Sequence, residues 1–100
     1  ATGAGDVFAG ALLARLVRLG ANFDAASTGE IALCLEAGAE PSRISYGNTI
    51  KRARDIAWAH ERGITLFAAD AEEELEKIAA NAPGAQVYIR VIVEHSQADW

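Results

Sequence analysis

A chain of 100 residues, 51% hydrophobic and 23% charged, has the composition of one globular domain and leaves no room for a separate substrate domain. Its formal charge of −5 argues against a nucleic-acid binder, which would need a basic patch, so no nucleic acid is expected as a partner. No apolar run approaches the roughly 20 residues of a membrane span, so no membrane partner is expected either.

The chain opens on ATGAGDVFAG, a Thr-Gly-Ala-Gly-Asp turn running into an apolar helical segment. Asp6 precedes that segment while Arg15 and Arg18 interrupt it, the reverse of a signal peptide, and a cytoplasmic setting is predicted. The helix is expected to turn Val7, Phe8, Ala11, Leu12, Leu16 and Leu19 inward. There is no methionine, as expected of a processed, excised or engineered product.

Gly20, Gly38, Gly63 and Gly84 recur at the spacing of a helix, a strand and two short loops, each closing a helical segment as its left-handed C′ residue. Strands are predicted over Asn22 to Ala25, Arg43 to Tyr46, Ile64 to Ala68 and Gln86 to Val93. Ser27-Thr28-Gly29-Glu30 and Asp70-Ala71-Glu72-Glu73 both read as capping boxes. The helix from Ile50 to Arg62 is expected to bury Ile50, Ala53, Ile56 and Ala57 and to expose Lys51, Arg54, Asp55 and Glu61. In the next helix Leu75, Ile78, Ala79 and Ala82 are the expected inward stripe, with Glu72, Glu73, Glu76 and Lys77 outward.

Alternating helices and strands predict an α/β domain of four αβ units on a four-stranded parallel sheet, half of a (βα)8 barrel; an open flavodoxin-like sheet is the alternative. In the last strand Val87, Ile89, Val91 and Val93 are expected to face the helices and Tyr88, Arg90 and Ile92 the concave side. Cys34, within IALCL, reads as buried filler. His60 and His95 lack partners at metal-ligand spacing, so they read as structural and no metal site is expected. Trp58 lies on an outward or flanking position of its helix.

From Gly20 to Trp100, the stretches NFDAASTGEI, PSRISYGN, GITLFAADAEEELEKIA, APGAQVYIRV and HSQADW resemble the barrel domain of PLP-dependent ornithine/lysine/arginine decarboxylases, of the alanine-racemase-like fold. The resemblance implies that the strands are the second to fifth of an eight-stranded barrel. It also matches Asp24 and Glu30 to acids near the Schiff-base lysine and Arg90 to an arginine close to the cofactor ring. Each has a plainer account: a capping box for Glu30, a polar strand end for Asp24, and for Arg90 an inward position that can pair with either acid. The family's Schiff-base lysine, ring-stacking histidine, phosphate loop, pyridine-pairing glutamate and second domain find no match, and Lys51 and Lys77 are expected on outward helix faces. No bound cofactor, no catalytic residue and no decarboxylase activity are therefore expected.

ATGAGDVFAGALLARL instead resembles the C-terminal signature of ribokinase-type sugar kinases, which implies an anion hole at the amides of Gly3, Ala4 and Gly5 and a base at Asp6. Residues 1–19 and 20–100 thus read as two sources joined near Leu19-Gly20 within one domain, a recombined or engineered chimera. Its expected function is structural, with no intact activity, no required small molecule and self-association, most simply a homodimer, to cover the open half-barrel. The alternatives are weak phosphate or nucleotide binding through Gly3 to Asp6 and a non-functional fragment of a PLP-dependent decarboxylase.

Overall fold

The computed structural model describes residues 4–91, with side chains from Gly10 onward. Helix α1 (Ala4–Arg18) leads into β1 (Phe23–Ala25), α2 (Thr28–Glu36), β2 (Ile44–Tyr46), α3 (Ala53–Glu61), β3 (Leu66–Ala69), α4 (Glu72–Asn81) and β4 (Gln86–Ile89). The strands pair in parallel in the order β1-β2-β3-β4. Right-handed crossovers between sequential neighbours put their helices on one face of the sheet, as in a barrel wall. A flavodoxin-like sheet would need a reversal of strand order and helices on both faces, so the sequential order decides against it. Among the described residues no helix is long and apolar enough to cross a membrane.

Local chemistry sets most element ends. Ser27 caps α2, its Oγ accepting the Glu30 amide at 3.1 Å, while the Glu30 carboxylate reaches back to accept the Ala26 amide at 2.7 Å. Gly38 and Gly63 adopt φ of +100° and +93°, which lets the following amides of Ala39 and Ile64 turn back to the carbonyls of Cys34 and Ala59. Ala39 and Ile64 then enter the core.

The second expected capping box does not form. The N-cap of α4 is Ala71, one residue beyond Asp70, whose methyl side chain can accept nothing, and the carboxylate at the third helical position, Glu74, is held in a tertiary ion pair. The buried stripe of α4 shifts accordingly, to Glu74, Ile78 and Ala82, leaving Leu75 and Ala79 exposed and Lys77 half-buried. Helix α3 begins at Ala53 rather than Ile50: Ile50 is exposed, Lys51 is buried in the loop before the helix, and Ile56 and Ala59 form its inner face.

In α1 the side chains that reach the core are Leu13 and Val17, while Leu12, Leu16 and Leu19 are exposed and Val7 and Phe8 lie outside the described side chains. A helix at the sheet margin touches only one neighbouring layer, so a narrow part of its apolar surface is used. Trp58 packs on the core with the Arg62 guanidinium 4.1 Å from its ring centroid, and Cys34 is buried, with burial and the nearby Glu30 charge pushing its thiol pKa up.

Register divides the sheet cleanly. Phe23, Ala25, Ile44, Tyr46, Phe67, Ala69 and Val87 align across the strands on the helix side, against Ile31, Cys34, Ile56, Ala59, Ile78 and Ala82. Asp24, Ser45, Leu66, Ala68 and Tyr88 align on the opposite face. The helix-side positions of β4 are covered only in part, for Val87 joins the core while Ile89 is 53% exposed and Val91, just beyond the strand, 74%. Strand β4 is an edge, and among the described residues no helix follows it to cover them.

Candidate functional site: an acid cluster on the concave face

Asp24 stands between Phe23 and Ala25, both turned to the helices, so strand alternation sends its carboxylate to the concave face. Its Oδ1 accepts hydrogen bonds from Ser45 Oγ at 2.9 Å and Tyr88 Oη at 3.0 Å, and its Oδ2 lies 4.0 Å from Arg90 Nη2. These contacts join the first strand to the fourth. On a flat sheet the two would stand about 14 Å apart, three strand spacings, so side chains meeting at hydrogen-bond distance require the sheet to curl toward this face.

The cluster is open to solvent. Asp24 and Arg90 side chains are 54% and 58% exposed, so their ion pair contributes little to stability and both groups remain able to meet a ligand. Tyr88 is half-buried, and burial together with its bond to the Asp24 carboxylate raises its pKa, against smaller lowering by Ser45 and Arg90. It therefore stays a protonated donor around neutral pH. Gly47 closes the cluster below: its amide donates to Ala25 O at 2.7 Å, and the space a Cβ would take is filled by the Asp24 carboxylate.

A second, fully enclosed polar group lies on the other side of the sheet. Lys51, with a side chain 0% exposed, donates from Nζ to the carbonyls of Asn48 (2.7 Å) and Ala68 (2.5 Å) and pairs with Glu74 Oε2 at 2.9 Å. Glu74 Oε2 also accepts the Lys51 amide at 3.2 Å. Its Oε1 pairs with Lys77 Nζ at 2.9 Å, which in turn donates to Lys51 O at 2.6 Å. Burial alone would raise the Glu74 pKa, but the hydrogen bonds and charges of Lys51 and Lys77 outweigh it and the net direction is downward. Among the described residues every buried side-chain nitrogen and oxygen has a partner.

Of the residues singled out from sequence, Asp24 and Arg90 meet, whereas Glu30 spends its carboxylate on the α2 cap. Gly3 lies outside the described residues; Ala4, Gly5 and Asp6 have backbone in α1 but no described side chains, so the expected anion site lies outside what is described. Lys51 and Lys77 do not sit on outward faces: one is buried and the other half-buried, both held by Glu74. Ser45 and Gly47 were not foreseen, yet the register of Ser45 beside Asp24 follows once β1 and β2 are paired. Glu74 could have been found too, lying four and eight residues before Ile78 and Ala82 on the same helical stripe. Among the described residues no group of three or more His, Cys, Asp or Glu side chains could hold a metal ion.

Comparison with known proteins places this geometry. The family model "Pyridoxal-dependent decarboxylase, pyridoxal binding domain" matches residues 9–100, running across the expected join at Leu19-Gly20 and taking in most of α1. The lysine/ornithine decarboxylase of Selenomonas ruminantium is 36% identical over 87 residues, which is 87% of this chain and 22% of that protein. Antizyme inhibitor 2 of Xenopus laevis is 36% identical over 83 residues, 83% of this chain and 18% of that protein. The crystal structure of the Paramecium bursaria Chlorella virus arginine decarboxylase superposes with a TM-score of 0.81 at 30% identity, covering 89% of this chain and 24% of that one. This chain thus spans about a fifth of the length of the curated relatives it matches. With a family match over nearly its whole length and the four-stranded parallel wall of the same barrel, the chain belongs to the pyridoxal-binding domain family of pyridoxal-dependent decarboxylases.

Proposed function

We propose that these residues form part of the barrel wall of a decarboxylase-like protein, presenting Asp24, Tyr88 and Arg90 toward the pyridoxal cofactor, and that alone they decarboxylate nothing. The observation that carries this reading is the placement of the lysines. Pyridoxal phosphate supplies an electron sink once it is joined to a lysine amine. Lys51 and Lys77 are both committed to Glu74, and Lys51 is sealed on the helix side, opposite the Asp24 cluster. The residues present therefore offer a carboxylate, hydroxyls and a guanidinium at the rim of such a site but do not by themselves fit the cofactor. Relatives named as antizyme inhibitors as well as decarboxylases mean that family membership alone does not select an activity.

Incubating the 100-residue chain with pyridoxal phosphate, reducing with borohydride and mapping by mass spectrometry is expected to give no stoichiometric label on a lysine. Ornithine, lysine and arginine are expected to release no carbon dioxide. A single lysine labelled to completion, or turnover of any of the three, overturns the reading.

One observation favours a second reading for these residues taken by themselves, self-association. Ile89 at the end of β4 and Val91 just beyond it are exposed, with no helix over them among the described residues, while α1, beside β1 at the other edge, carries exposed Leu12 and Leu16. A second copy whose β1 paired with this β4 would bring its α1 over Ile89 and Val91 and satisfy both open edges. Sedimentation at tens of micromolar is expected to give a dimer mass; a monomer at every concentration removes this reading.

A further inference from the structure

We infer that the buried Lys51–Glu74 pair is a positioning device for Asp24 on the opposite face of the sheet, acting through the corner Gly47–Asn48. The inference rests on the proposed role of the Asp24 face only for its functional meaning; the mechanical link stands on contacts alone.

The corner is held from both faces. On the concave side, the Gly47 amide donates to the Ala25 carbonyl, and its Cα sits so close under the Asp24 carboxylate that only glycine leaves room. From the helix side, the Lys51 ammonium takes the carbonyl of Asn48, the next residue, and ties it to the Ala68 carbonyl in β3. Asn48 adds a local brace, its Oδ1 accepting the Ile50 amide at 3.2 Å. Glu74 fixes the ammonium and the Lys51 backbone together, and Lys77 closes the circuit by bonding the Lys51 carbonyl and Glu74 Oε1.

The carboxylate of Asp24 has Gly47 as its floor, and the height of that floor is set by the pull of Lys51 on Asn48. A buried ammonium also does not slide, because moving it breaks a charge-assisted bond without water to replace it. The pair thus holds the corner against Asp24, whose Oδ1 then stays within reach of Ser45 and Tyr88. Lys51 is in this sense a positioning residue, remote from any ligand and effective only through the loop.

The test uses the 100-residue chain without cofactor. In Lys51→Met the Gly47 amide and the Asp24 carboxyl carbon are expected to shift in NMR spectra, and Gly47 amide exchange to quicken by at least about tenfold beyond the change in global stability. Ile56→Val, a trim of the core on the same side of the sheet, is expected to leave both resonances in place. A folded Lys51→Met in which neither resonance moves, or an equal shift in Ile56→Val, overturns the inference. If Lys51→Met does not fold, Glu74→Gln keeps the shape and removes the charge; the same two resonances are then expected to move, and their staying in place overturns the inference. Because no cofactor takes part, failure here leaves the borohydride result standing, and a labelled lysine there leaves this coupling standing.

Discussion

Replacing Glu74 by alanine is expected to destabilise the fold by about 3–5 kcal/mol, a large part of the roughly 5–15 kcal/mol that holds a domain of this size together. The cost comes less from the lost attraction than from what remains: the Lys51 ammonium, 0% exposed, would stay buried with only two carbonyls to face it. The Lys51 amide would lose its acceptor as well, and Lys77 its carboxylate, keeping only the Lys51 carbonyl. Urea unfolding at pH 7 measures the effect, and the double variant Lys51→Met/Glu74→Leu is expected to recover much of it, since it leaves no fully buried unpaired ion and the Lys77 ammonium, 32% exposed, can turn to water. Acid gives an independent check. The folded-state pKa of Glu74 is lowered, so its stabilisation is complete above the ordinary carboxylate range and is lost as pH falls through the depressed value. The stability gap between the native chain and Glu74→Gln is therefore expected to be full at pH 7 and to narrow on acidification below about pH 4.

Phe67→Ala is expected to cost a comparable amount, about 3–5 kcal/mol, by a different mechanism. Phe67 is 0% exposed on β3, an interior strand, aligned between Tyr46 and Val87 and with its ring centroid 6.1 Å from that of Tyr46. Neighbours on both flanking strands fix the cavity walls, so little of the emptied volume can close. Phe67→Leu, which keeps most of the volume, is expected to cost clearly less. Urea midpoints of the two variants against the native chain check the order; equal midpoints for alanine and leucine would mean that the site collapses freely.

The order of elements, their types and the glycine-closed ends of the helices were legible from the sequence, because those signals act over a few residues, whereas the starts of α3 and α4 and the end of β4 were not. A serine three residues before a glutamate, a glycine after an apolar helix and an alternating strand each state their own local structure. The four αβ units and the parallel sheet followed from such signals and from the family resemblance, whereas these left Arg90 free to pair with either Asp24 or Glu30, and the folded structure sets it beside Asp24. The expected stripes of α1 and α4 held only in part, Ile78 and Ala82 being buried but Leu75, Ala79, Leu12 and Leu16 exposed, for one reason: local periodicity reports that a helix has an apolar side, but a rotation by one residue depends on what that side meets.

What the amino-acid sequence determined by itself was therefore the chain's α/β layout and its kinship, and with them the concave placement of Tyr88 and Arg90. Only the tertiary structure decided where the charges of Lys51, Glu74 and Lys77 go. Glu74 leaves the end of its own helix for an ammonium 23 positions earlier, and Tyr88 bonds a carboxylate 64 positions away. The physical reason is desolvation. Once Lys51 is enclosed by the folded layers its charge must be met at whatever sequence distance a partner can be found, and that demand outweighs the modest preference of a glutamate for capping its own helix.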